Sequence, residues 1–166
     1  MRPLTEHQIR TSFVNASKGD AQRAALPDLA AVAWDELDYL GWQDPRKPLL
    51  HYVALEVDDE LVCLLLRGTG KTPPRKMMCA WCEDVIDGLH AASFAAPRGG
   101  AEGRRGNTIG TSLCADFRCS QNVRRAPTAF EMQTEDEALL AYHRQERIDG
   151  LRDRSTGFAR AVMTGA

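Results

Sequence analysis

"MMCAWCEDV", residues 77–85, and "LCADFRCSQNVRR", residues 113–125, decide how this chain is read. Their cysteines follow the pattern C-x2-C, 31 residues, C-x4-C, at Cys79, Cys82, Cys114 and Cys119. A C-x2-C turn lets two thiolates meet one tetrahedral ion, and four sulfurs at about 2.3 Å complete a closed structural zinc site. The long gap reads as a hairpin, and "SQNVRRA" after Cys119 as the opening of a helix. A knuckle, a hairpin and a ligand at a helix start describe a treble clef. Four thiolates leave zinc no open position, so the one Zn2+ expected here is structural. A thioredoxin-like pair would stand at a helix start beside a βαβ unit. Here "TPPRKMM" precedes the motif and no such unit surrounds it. Inert burial is the remaining reading of four cysteines, and the paired spacing speaks against it. His90 is a possible substitute ligand. Cys63 lies in an apolar strand and reads as core.

At 166 residues the chain fits one domain, residues 1–166, long enough to bury a core. Its parts would be two helices and a β-hairpin (1–76), the zinc finger (77–125) and a C-terminal helical segment (126–166). With 43% hydrophobic and 27% charged residues, wholesale disorder is excluded. A formal charge of −2 gives no global bias toward nucleic acid or membrane. The longest strongly apolar run, Leu61–Leu66, falls far short of the ~20 residues of a spanning helix. "MRPLTEHQIR" has no apolar signal core. These features predict a cytoplasmic protein, whose cysteines are reduced thiols or metal ligands.

Thr5 and Gln8 have capping-box spacing, which predicts a helix from Glu6 to about Ser17. Pro27 and the stripe Leu29, Val32, Ala33, Leu37 and Leu40 predict a second helix over 27–40, with Gly41 closing it. "HYVALEV" and "LVCLLLR" read as strands joined by a turn at "DDE". "GTGKTPPRK" and "PRGGAEGRRGN" read as loops, and "NTIGTSL" as a short strand leading into Cys114. Thr134 and Glu137 form a second capping box, so a helix is expected from about Glu135 to Arg154, resuming after Gly157. The whole is an α+β fold: a small sheet, flanking helices and a treble-clef zinc finger.

"LLLRGTGKTPP" imitates a phosphate-binding loop. The pattern needs glycine at position 65, which is Leu65, and a helix after Lys71, where Pro73 and Pro74 stand. His7, His51, His90 and His143 are scattered, with no nucleophile–base pattern. The acidic residues at 135–137 read as charges at a helix N-terminus. An enzyme is not supported.

Between 98 and 125 stand six arginines, Arg98, Arg104, Arg105, Arg118, Arg124 and Arg125, opposed only by Glu102 and Asp116. Such a local excess suits an acidic protein face or RNA. "MCAWC", "GNTIGTSLCADFRCSQNVRR" and the upstream "LDYLGWQDPRKPLLHYVAL" resemble the elongation factor G-binding, FusB-type family with its treble-clef zinc finger, over about residues 25–160. The resemblance implies a small α+β domain that binds elongation factor G and helps release it from the ribosome, protecting translation against fusidic acid. It carries Cys79, Cys82, Cys114 and Cys119 over as zinc ligands. That family has a helical bundle ahead of the finger, where two short helices are expected here. Its binding hairpin offers basic and aromatic side chains. Arg104 and Arg105 match the basic part, whereas Thr108 and Ala80 are not aromatic. The expected contact is the hairpin, chiefly Arg104 and Arg105, with Arg124 and Arg125 at the start of the following helix weighing less. The alternative is a zinc-finger module that binds RNA directly. With Phe117 the only aromatic over 98–125, base stacking has little to work with, which favours a protein partner.

Overall fold

Two strands set the frame. β2, Leu50–Val57, and β3, Glu60–Gly68, pair antiparallel with Val57 opposite Glu60. Only Asp58 and Asp59 remain for the turn, and both take positive φ, 50° and 65°. A two-residue turn of that hand matches the twist of the strands it joins. Side chains along these strands alternate between two cores, as the two-residue period of a strand requires. Val53, Leu55, Val57, Val62, Leu64 and Leu66 enter one cluster, while Tyr52, Ala54, Cys63 and Leu65 enter the other. The near-continuous apolar run of β3 is thus a strand buried on both faces.

The computed structural model describes residues 1–68, 77–84, 91–129 and 131–164. The phosphate-loop imitation at Gly70–Pro74 and His90 lie outside them. Three further strands complete an antiparallel sheet in the order β1-β2-β3-β4-β5: β1, Tyr39–Gln43, β4, Ala91–Pro97, and β5, Thr108–Cys114. The expected α+β class with "NTIGTSL" as a strand is what forms.

Among the described residues β4 pairs with β3 only at Arg67↔Ala95 and Gly68↔Phe94, and toward Leu65 and Pro97 the two strands splay apart. The N-terminal segment fills the gap. Cys63 donates to the Ser12 carbonyl and accepts from Val14, at 2.9 and 3.1 Å. Asn15 then acts as a piece of backbone. Its Nδ2 donates to the Leu65 and Pro97 carbonyls, and its Oδ1 accepts from the Leu65 amide. This pairing ends the first helix early. α1 runs Glu6–Thr11, with the capping box formed by Thr5 and Gln8, and a separate α2 follows at Lys18–Arg23.

The helix expected over 27–40 does not form. Two single 3-10 turns, Leu29–Ala31 and Trp34–Glu36, are followed by β1. Leu29, Val32, Trp34 and Leu37 still pack against the second core, but from an irregular chain. Pairing β1 along β2 from Tyr39↔Leu55 to Gln43↔His51 outweighs the helical stripe, and Gly41 is a mid-strand residue. The Met1 ammonium caps the connector by donating to the Trp34 and Leu37 carbonyls.

The hairpin between β4 and β5 holds one turn of helix, α3, Gly100–Arg104. Any side chain at Gly103 would overlap the Arg98 carbonyl, so the turn closes only around a bare Cα. α4 is Cys119–Arg124. The C-terminal helix differs from expectation in being one piece. α5 spans Glu137–Met163, capped by the Asp136 carboxylate rather than Thr134, and runs through Gly157. Ile148, Leu151, Ser155, Ala159 and Val162 are buried at helical spacing. Their burial exceeds the ~1 kcal/mol that a mid-helix glycine costs.

Candidate metal centre

Three local devices deliver the four cysteines. Cys79 and Cys82 sit on a turn in which Glu83, at φ 54°, donates its amide to the Cys79 carbonyl. The Ala80 amide docks this knuckle on β5 through the Ser112 carbonyl, at 2.8 Å. Cys114 ends β5 and Cys119 opens α4. Between them Phe117, at φ 58°, reverses the chain, and its amide donates to the Cys114 carbonyl.

The four sulfurs lie within 4.8 Å of one another, with Cys79–Cys119 and Cys82–Cys114 each at 3.6 Å. A disulfide needs about 2.05 Å. Four thiolates around zinc at about 2.3 Å stand about 3.8 Å apart, so the spacing is that of a metal cage. All four are buried. Thiol hydrogen bonds from Cys114, Cys119 and Cys82 draw the Cys79 thiol far down, while those from Cys114, Cys79 and Cys82 drive Cys119 far up. Four negative sulfurs this close coexist only around a cation. N–H groups help neutralise them. Trp81 donates its amide to Cys79 Sγ at 3.4 Å, and Asn122 Nδ2 reaches Cys114 Sγ at 3.3 Å. Such outer contacts orient the ligands. Cys63, by contrast, lies on the other face of the sheet, and burial pushes its thiol up to about 12.

A family model of the FBP C-terminal treble-clef zinc-finger matches residues 8–162. The chain belongs to that family. No curated protein matches it. Among solved structures it is similar to the fusidic acid resistance protein FusC, with a TM-score of 0.57 and 20% identity over 74% of this chain and 53% of FusC. It thus spans about half of FusC's length, and the likeness is one of fold. The protein holds one structural zinc on Cys79, Cys82, Cys114 and Cys119.

Two buried carboxylates anchor the finger, and the sequence reading missed both. Asp84 binds Arg125 Nε and Arg147 Nη2, each at 2.9 Å, and Arg125 also pairs with Glu131 at 2.6 Å. Asp38 binds Arg124 and, at 2.9 Å, Arg152 Nε. Both aspartate side chains are fully enclosed. Burial alone would raise the Asp38 carboxyl, but its two arginines hold it below the usual range. Arg154 Nε donates to the Trp81 carbonyl at 2.7 Å, tying the knuckle to α5. Arg124 and Arg125 therefore sit in the ion pairs that fasten α4, largely enclosed. Asn122, three residues after Cys119 and so on the same helical face, is the one accessory residue whose position the sequence signals.

The hairpin arginines are placed differently. The Arg104 side chain is exposed and makes no hydrogen bond or ion pair among the described residues. The Arg105 side chain is 72% exposed and, among the described residues, pairs only with Glu102. The base of the tip, Thr108, lies six residues from Cys114, about 20 Å away along β5. It is steadied from the other side. Gly99 donates to the Val162 carbonyl at 2.8 Å, and Arg98 Nη1 to the Ala161 carbonyl at 2.9 Å. The end of α5, rather than the metal, holds the tip.

Phe117 gives a direct check on the finger's seat. A Cβ on Gly41 would stand 2.5–2.7 Å from the Phe117 ring and Cβ. Phe117 cannot retreat, because its ring packs on Phe94 at 5.7 Å and His51 at 5.8 Å. Gly41→Ala is expected to lower stability by about 1–3 kcal/mol, as overpacked cores do. Chemical denaturation of the zinc-loaded variant checks this, and an unchanged midpoint would show that Phe117 is free to move.

Proposed function

We propose that this protein binds elongation factor G at the ribosome, without catalysis, and promotes its release in the manner of fusidic acid protection. The observation that carries the reading is the tip of the β4–β5 hairpin, an exposed basic corner on a rigid mount. Pre-organised loops bind at lower entropic cost. FusC, which shares the fold, is a fusidic acid resistance protein, and that description points to translation. The metal supports rather than reacts, since four sulfurs fill its positions. Among the described residues no helix is long and apolar enough to cross a membrane, in keeping with action beside the cytoplasmic ribosome. In this reading residues 1–166 act as one domain. Arg104 and Arg105 make the contact, while Arg124 and Arg125 contribute by fixing α4 at the metal end of the hairpin.

Reversing Arg104 and Arg105 to Glu is expected to weaken binding of purified elongation factor G on the order of tenfold or more, mainly through a slower association rate, with zinc content intact. Affinity of the unaltered protein should fall as salt rises. Equal binding by the double reversal in a calorimetric titration would remove the tip from the mechanism. Binding to ribosomal RNA fragments without any factor, with a steep log–log salt slope, would replace this reading with an RNA-binding module.

A further inference from the structure

The tip leads into a sheet edge with open backbone groups. Arg98 donates its amide to the Asn107 carbonyl at 2.9 Å, which makes these two a hydrogen-bonded pair. Such pairs recur every second residue in an antiparallel ladder. Ile109, Thr111 and Leu113, opposite Ala96, Phe94 and Ala92, therefore turn their amides and carbonyls toward β4. Thr108, Gly110 and Ser112 turn theirs outward. Two observations agree with this parity. Pro97, which has no N–H, stands opposite Thr108 where none is needed. The outward Ser112 carbonyl is the one taken by the Ala80 amide. The knuckle thus closes one end of the edge. Among the described residues, the outward groups of Thr108 and Gly110 have no backbone partner.

Free edges are usually blunted by lysine, proline or a bulge. Here no charge and no proline stands between Asn107 and Cys114. The strand pairs with β4 in unbroken register from Ala91↔Cys114 to Pro97↔Thr108, so it has no bulge. Charge gathers at its open end instead, on Arg104 and Arg105. We infer that the edge of β5 at Thr108–Gly110 takes an extended, acidic segment of the partner protein as a sixth strand, with Arg104 and Arg105 receiving its carboxylates. Main-chain bonds supply the attachment in this mode of recognition, and side chains at the ends supply the selectivity. A second copy of this chain suits the edge poorly, because its own tip brings more arginines rather than carboxylates. The inference rests on the reading above and adds the way in which the partner is held.

Hydrogen exchange on the zinc-loaded protein, with and without purified elongation factor G, tests it. The amides of Thr108 and Gly110 should slow on complex formation. Those of Ile109 and Thr111, already bonded to β4, should change little. Gly110→Pro removes an outward N–H without touching the β4 ladder, and Gly110→Ala keeps it. A Cβ at this position has room, its nearest neighbour being the Phe94 carbonyl at 3.8 Å. The proline variant should bind about tenfold or more weakly and the alanine variant like the unaltered protein, both with full zinc. Equal binding by the two would overturn the inference. Should the proline variant fail to fold, the exchange result decides. A complex that forms with Thr108 and Gly110 unprotected removes the added strand and leaves the function standing. No complex with the unaltered protein removes both. A dimer that protects these amides without any factor gives the edge to a second copy and overturns the inference.

Discussion

Stripping the zinc is expected to unfold the finger. Zinc binding in small fingers is worth about 10–16 kcal/mol, as much as the whole stability of an ordinary domain at about 5–15 kcal/mol. Without the ion, four thiols remain in a space that fits four thiolates and a cation. They must protonate or move apart, and what they hold moves with them. Cys79 and Cys82 carry the knuckle, and Cys119 carries the start of α4. Trp81, between the first pair, is buried 1% exposed against Tyr39 at 5.0 Å and Phe158 at 5.8 Å. Chelation should therefore shift Trp81 fluorescence to that of a solvated indole, with partial loss of helix signal, and zinc should restore both. Cys79→Ser and Cys114→Ser should behave as the stripped protein does, whereas Cys63→Ser should keep its zinc. A metal-free, reduced sample that melts as the loaded one does would refute a folding role for the metal.

Asp84→Ala is expected to cost about 3–5 kcal/mol with all four cysteines intact. Its side chain is fully enclosed and serves two arginines, whose own side chains are 20% and 14% exposed. Arg125 retains Glu131 and Arg147 retains the Asn122 carbonyl, but neither partner replaces the buried charge between them. Breaking one side of a buried pair strands the other, which is costlier than the pair was worth. Because Arg147 reaches the Asn122 carbonyl while Asn122 reaches the sulfurs, zinc should also dissociate faster. Urea unfolding with zinc at saturation reads the first effect and competition with a chromophoric chelator the second. A loss below about 1 kcal/mol, typical of surface pairs, would mean that water reaches this cluster.

The features legible in the sequence were those that local chemistry dictates. Paired cysteines announce a cage by spacing alone, and the "DDE" turn between two apolar runs announces a hairpin. The capping box at Thr5 and Gln8 forms as expected. What escaped depends on partners distant in sequence. Tyr39–Gln43 carries the end of a helical stripe but becomes a strand because β2 offers it a ladder. Ser12–Asn15 leaves its helix because β4 splays away from β3. Gly157 reads as a break only while the apolar residues around it lack a surface to cover. Asp38 and Asp84 look like ordinary surface acids until the arginines of α4 and α5 close over them. The arginine cluster was legible as charge, but not that Arg124 and Arg125 face inward while Arg104 faces out.

α5 has a consequence of its own. Its 27 residues make a rod about 40 Å long. Near its middle it grips the metal-bearing knuckle through Arg147 and Arg154, and at its far end it fixes the arginine-bearing tip through the Ala161 and Val162 carbonyls. Two stations that the β5 ladder sets about 20 Å apart share one rigid member. Slack at the first is expected to reach the second as a change of angle. In the reading proposed above, a newly synthesised chain is expected to present its tip at a settled angle only once an ion has arrived, so that zinc supply would weigh on binding alongside synthesis.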